Sequence, residues 1–186
     1  MNTHMGYFLV AAAIFIAVLI ALAGRNYYRA RRSPQESWES LMRRLISVDR
    51  ASVARIALDF FDESEQPAGD DRGAELEPSD ISQLIGGLKG IEVLGRNSQV
   101  LIEMACYLQR SYPEALIIAE QLRHSAREIE LHVGRLRGAA QNGNLEVSFP
   151  FYGQRIIATY YRMTRQLLHL YEQGGVPMLA DLQKAL

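Results

Sequence analysis

LIEMACYLQR SYPEALIIAE QLRHSAREIE LHVGRLRGAA, residues 101–140, is the stretch that decides the fold. Leu101, Ala105, Leu108, Tyr112, Ala115, Ala119, Leu122, Ala126, Ile129, Val133, Leu136 and Ala140 recur in alternating steps of four and three. Such spacing gathers all twelve on one stripe of an α-helix, whereas a half-buried strand repeats every second residue. Leu116 and Ile118 widen the stripe beyond a two-stranded seam, which favours a helix buried in a bundle. Ser111 to Glu114 reads as a capping box, and Pro113 cannot donate to a helix ladder. A kink or short break is therefore expected near Tyr112.

On the C-terminal side, Asn142-Gly143-Asn144 makes a turn, with Leu145 to Phe149 as a brief extended stretch. A last long helix is expected from Pro150 or Phe151 to Gln173, with Ile157, Tyr160, Thr164, Leu167 and Tyr171 on its apolar face. A tight turn between two such helices implies an antiparallel pair. Gly174-Gly175 ends the second one, and Pro177 to Leu186 reads as a short terminal helix.

On the N-terminal side, a helix capped by Ser79 or Asp80 carries Ile81, Leu84, Ile85, Leu88, Ile91 and Leu94, then meets Gly95 as a stop and Asn97 as a new cap. Gly86, Gly87 and Gly90 fall within it. The GGLKG run lacks the Lys-Ser/Thr ending and preceding strand of a phosphate loop, so close helix packing or a weakened helix explains it better. Asp62 to Pro78, DESEQPAGDDRGAELEP, is acidic, contains Pro67, Gly69 and Gly73, and is expected to be a mobile loop. EF-hand spacing is absent from it. Before this linker, Val53, Ile56, Ala57, Phe60 and Phe61 mark a helix after Asp49. Trp38, Leu41, Met42, Leu45 and Ile46 mark another, begun by Ser33-Pro34-Gln35-Glu36.

The far N-terminus differs in kind. Met5 to Gly24, MGYFLVAAAIFIAVLIALAG, is uncharged. At about 1.5 Å per residue it spans the roughly 30 Å of a hydrocarbon core. Tyr7 and Phe8 mark one interface, Tyr27 and Tyr28 the other. Arg25, Arg29, Arg31 and Arg32 follow the run, and no Lys or Arg precedes it, so the positive-inside rule places the N-terminus outside and the rest in the cytoplasm. Ala21-Leu22-Ala23 resembles a signal cleavage site. Against that reading stand an uncharged n-region, a long apolar run and the charge after it. Ala13, Ala17 and Ala21 form a small-residue stripe on which a membrane homodimer could close.

Residues 33–186 hold 16 Lys and Arg against 21 Asp and Glu, which argues against a nucleic-acid binder. Cys106, the only cysteine, cannot form an internal disulfide and sits in an apolar helical pattern. His124, Glu128 and His132 lie one turn apart, but Arg123 and Arg127 are interleaved and no complete metal-ligand set emerges. Arg155, Arg162, Arg165 and His169 form a basic stripe, either solvated or docking an acidic partner. Phe149, Pro150, Phe151 and Tyr152 are either a contact patch or a hydrophobic staple. No nucleophilic triad or cofactor motif is present.

The expected architecture is all-α. A transmembrane anchor spans 1–24, a basic collar 25–33, and a helical cytoplasmic domain 34–186, with an acidic loop near 62–78. The expected function is interaction, scaffolding or regulation at the lipid bilayer, through another protein and without catalysis, metal or cofactor. An accessory subunit of a larger membrane complex and an anchored enzyme with an unrecognised site are the alternatives. Phe149, Phe151, Tyr152, Arg155, Arg162 and Arg165 are the candidate partner contacts.

Overall fold

The computed structural model describes residue 16 and the stretches 37–65, 76, 78–109, 112–175 and 178–186, with backbone only at 62–65 and 78. The rest of the anchor, the collar with Arg25, Tyr27, Tyr28, Arg29, Arg31 and Arg32, the alanine stripe and the Ser33 capping box lie outside them. So does most of the acidic linker. Of the two units into which the chain divides, Met1–Ser37 and Trp38–Leu186, the second is an all-α bundle with no strand among its described residues. Its helices are α1 (Trp38–Arg44), α2 (Arg50–Glu65), α3 (Pro78–Ile85), α4 (Gly87–Leu108), α5 (Ala115–Gln141), α6 (Leu145–Gln173) and α7 (Leu179–Ala185). No helix among the described residues is long and apolar enough to cross a membrane.

The long stripe of residues 101–140 has the short break expected near Tyr112 rather than a kink. The helix ends at Leu108, restarts at Ala115 and runs back along itself. Three polar contacts record the register: Arg137 Nε donates to Glu92 at 2.8 Å, Gln99 Nε2 donates to Glu130 at 2.7 Å, and Arg123 Nη2 donates to Cys106 Sγ at 3.1 Å. Each rung lies seven residues from the last on both helices, in opposite directions, as an antiparallel heptad pair requires. Buried Ile91, Leu94, Leu101, Leu108, Ala119, Leu122, Ile129 and Leu136 fill the space behind the rungs.

α6 turns back again. Asn144 N–H donates to the Ala139 carbonyl and Gly143 N–H to that of Ala140, with Gly143 at φ 72°. This paired closure ends α5 through a left-handed residue that glycine takes without a Cβ clash. The helix that follows begins at Leu145, so residues 145–149 are helical rather than extended, and Pro150 sits inside α6. α6 runs antiparallel to α5 and parallel to α4. Asn97 donates to the Tyr160 hydroxyl at 3.3 Å, and further along both helices the Tyr171 hydroxyl donates to the Met104 carbonyl at 3.1 Å. Burial pushes both phenols above their ordinary value, as expected of hydroxyls held in an apolar core.

The smaller helices close the ends. Trp38 stacks at a tilt on Tyr171 (ring centroids 5.3 Å apart) and Tyr107 (6.0 Å), and Arg44 pairs with Glu103, fastening α1 to α4. α1 ends at Arg44, so Leu45 and Ile46 leave the helix. Asn97 is not a helix cap. It is buried within α4, where its side-chain oxygen accepts from Ile46 N–H at 3.0 Å and its amide donates to the Ile46 carbonyl at 2.8 Å. Both backbone groups of a loop residue are thereby satisfied from the core. Asp49 then caps α2, accepting from Ala51 N–H at 3.1 Å and Ser52 Oγ at 2.6 Å. The Ser52 hydrogen bond holds the Asp49 carboxyl below its usual range.

α2 extends to Glu65, taking in the first four residues of the stretch read as linker, and Leu76 near the far end of that stretch is buried. α3 starts at Pro78, which needs no N–H at a first helical position, so Ser79 and Asp80 lie inside its first turn. The stop expected at Gly95 falls instead at Gly86 and Gly87, with φ 79° and 63°. α4 then runs unbroken past Gly95, which packs on Val133 and Ile129 of α5 at a distance where a Cβ would make ordinary contact.

Candidate functional site

The outer face of the α5–α6 hairpin gathers the ionisable groups. Glu128 on α5 is its hub: Oε1 lies 3.4 Å from Arg155 Nε and 3.8 Å from His132 Nε2, and Oε2 lies 3.9 Å from Arg162 Nη2. Antiparallel packing places Arg155 and Arg162, seven residues apart on α6, against one acid on α5. Both arginines are about half exposed, so each pair is worth at most about 1 kcal/mol and exchanges readily with other anions.

Beside the hub, His132 is buried and stacks on Tyr152 with ring centroids 5.4 Å apart. Arg135 covers the same tyrosine ring at 5.3 Å, a cation–π contact, and Phe151 meets it edge-on at 5.1 Å. His132 Nδ1 is buried with no hydrogen-bond partner among the described residues. Its Nε2 is too far from Glu128 for a hydrogen bond, so the pair is not an acid–base dyad. Burial holds the imidazole below its ordinary value, helped by Arg155 and Arg135 and opposed by Glu128.

A pH dependence follows. Above the ordinary imidazole value of 6.5 both folded and unfolded forms are neutral here and the histidine contributes nothing. As the pH drops through that value the unfolded chain takes up the proton first, so stability falls until the folded imidazole also titrates. His132→Phe keeps a ring against Tyr152 and removes the proton site. Urea midpoints measured from about pH 8 to about pH 5 should fall less steeply in the variant than in the parent chain. Parallel slopes would show that the histidine is not held neutral.

The remaining candidates separate. Phe149 is buried against Gly153 and belongs to the core, Tyr152 is half-buried, and Phe151 is 60% exposed. The aromatic run is thus staple and surface at once. Arg165 is exposed on α6, and His169 lies 3.8 Å from Glu172. His124 is exposed and Glu120 pairs with Arg123, so the expected histidine row splits. No group of three or more His, Cys, Asp or Glu able to hold a metal ion occurs among the described residues. Cys106 is partly buried and desolvation pushes its thiol up, which disfavours the reactive thiolate. A cleft of about 240 Å³ between Arg55, Leu76, Asp80, Gln83 and Leu84 is smaller than the ~300–1,000 Å³ typical of small-molecule sites.

Reading the sequence missed Glu128 as the partner of the α6 arginines and Asn97 as a core clamp. The first had a signal, an acid on the facing helix at matching heptad spacing. The second had none short of the tertiary fold.

Against known proteins, the chain matches no family model, no curated sequence and no solved structure. What the fold and site define is a class: a helical bundle closed over its own core, with an arginine- and aromatic-bearing face on one hairpin.

Proposed function

We propose that this chain is a membrane-anchored interaction protein, a scaffold or regulatory module without catalysis of its own, held by residues 5–24 with the helical domain in the cytoplasm. The observation that carries the interaction reading is the α5–α6 face. Its arginines are half exposed around one shared acid, and an aromatic side chain is left in solvent beside them. Such groups suit recognition of a protein surface, where Arg and aromatic residues supply much of the binding energy. The anchor rests on the uncharged run and the collar arginines. Confinement to the bilayer raises effective concentration, so a modest contact face suffices for a membrane-bound partner. The Ala13, Ala17, Ala21 stripe offers a route to a homodimer within the bilayer.

Two measurements test this. Alkaline phosphatase fused after Leu186 should be inactive in a bacterial host, and activity in the periplasm would reverse the orientation. Full-length protein purified from detergent-solubilised membranes should bring down a stoichiometric protein partner. Repeated isolation of the chain alone would remove the interaction reading.

A further inference from the structure

We propose that the hairpin face around Gly134 and Phe151 is a docking groove for an acidic amphipathic helix of a partner protein, an inference that rests on the interaction reading above. Three exposed apolar side chains border it: Leu131 (55% exposed) on α5, and Val147 (84%) and Phe151 (60%) on α6. They are contiguous. Leu131 lies three residues after Glu128 and four before Arg135, on one stripe of α5. Arg135 covers the Tyr152 ring, Phe151 meets that ring edge-on, and Val147 is one turn before Phe151.

Gly134 and Gly138 continue the α5 side of this surface. A Cβ at either would meet nothing within 4 Å. Glycine weakens a helix interior, and at these two positions no close approach within the chain compensates. Their effect is a shallow trough one residue-turn apart, the feature that lets a second helix backbone come near. A bilayer surface would gain nothing from such a gap.

The charges choose the partner. Arg127 and Arg135 are exposed on α5, and Arg155 and Arg162 are half exposed on α6; against these four stand three acids, Glu128, shared by two of the arginines, Glu130, which accepts from Gln99 of α4, and exposed Glu146. A second copy presenting the same face across a two-fold axis would set arginine against arginine. An acidic helix with apolar residues at steps of three and four would instead place carboxylates on the guanidinium groups and its apolar stripe on Leu131, Val147 and Phe151.

The test uses the full-length chain in its own membranes, with the photo-crosslinker benzoylphenylalanine in place of Phe151 and, in a separate chain, in place of exposed Leu58 on α2. The adduct expected from position 151 is a segment of another protein that is net acidic with helical apolar spacing. Gly134→Ala with Gly138→Ala should cut its yield roughly tenfold, a loss of about 1.4 kcal/mol in binding. The same pair of changes should raise, not lower, the melting midpoint of the chain, because alanine favours the helix. That opposition separates lost docking from lost folding. Arg135→Glu should also lose the adduct, and an acid-to-Arg change in the captured segment should restore it. Adducts with lipid, with a second copy, with residues 62–78 of the same chain, or with a neutral or basic segment would overturn the proposal, as would unchanged yield in the glycine variants. A protein partner captured from position 58 but not 151 overturns the groove and leaves the interaction function standing. Capture of no protein from either position overturns both.

Discussion

Ile129→Ala is expected to lower the stability of the helical domain by about 2–5 kcal/mol, while Arg162→Ala costs no more than about 0.5 kcal/mol. Ile129 is fully buried on the seam of α5, over the backbone of Gly95 on α4. Truncation removes apolar contacts and leaves a cavity between two helices whose register is held on either side, so the site cannot collapse freely. Arg162 is half exposed, and its nearest acid, Glu128, keeps a second arginine after the change. Urea melts of the two variants of the full chain in detergent, followed by circular dichroism, provide the comparison. If Ile129→Ala were tolerated and Arg162→Ala unfolded the domain, α5 and α6 would be facing the other way. If neither mattered to the isolated chain but both mattered in the membrane, the seam would be an interface with another protein.

Gly90→Ala has the opposite sign from what helix propensity alone suggests. In an open helix alanine would gain up to about 1 kcal/mol over glycine. At position 90 a Cβ would fall far inside contact distance of the Ile85 carbonyl oxygen, a backbone atom in the junction between α3 and α4. Nothing there is a flexible side-chain end that can swing away. Relief requires moving α3 off α4, and the expected loss is about 3 kcal/mol or more. A melting midpoint equal to or above that of the parent chain would show that the two helices do not meet this closely.

Much of the fold was legible because periodicity reports burial directly. Leu122, Ile129 and Leu136 were placed on the seam by spacing and are fully buried, as are Ile157 and Leu167 on the facing helix. Chain direction was not legible. Residues 101–108 and 115–140 keep one phase in the sequence, yet they line two helices that face each other, and a phase carries no sign of reversal. The glycines posed a similar difficulty. Gly86 and Gly95 both follow apolar runs, and only the positive φ of the first makes it a stop. Asn97 after Gly95 and Arg96 looks like a cap, and its burial depends on a loop some fifty residues earlier in the chain.

The site was partly legible for a reason of the same kind. Four bulky residues, 149–152, read as a unit when the helix was expected to start at 150 or 151. A start at Leu145 puts them on a helix, where successive residues rotate by about 100°. Phe149 then turns inward, Phe151 outward, and Tyr152 to the edge shared with His132. An earlier helix start would have divided the cluster correctly, but Pro150 argued for the later one. A proline costs nothing in the first turn of a helix, but Pro150 is the sixth residue of α6, so its missing N–H removes one bond of the helix ladder.

The rungs between α4 and α5 also bear on misfolding. An apolar heptad seam looks nearly the same after α5 slides by one repeat, so oily contacts alone leave that error cheap. The three rungs differ in chemistry: acid with base, amide with acid, thiol with base. A slip of seven residues in one direction sets Glu92 opposite Glu130, two carboxylates facing each other. A slip in the other sets Cys106 opposite Glu130 and Gln99 opposite Arg137, which takes Glu92 away from its arginine and Glu130 away from its amide donor. Either mistake forfeits the correct rungs together, so the hairpin carries its own alignment key, written in polar residues that add little to the final stability.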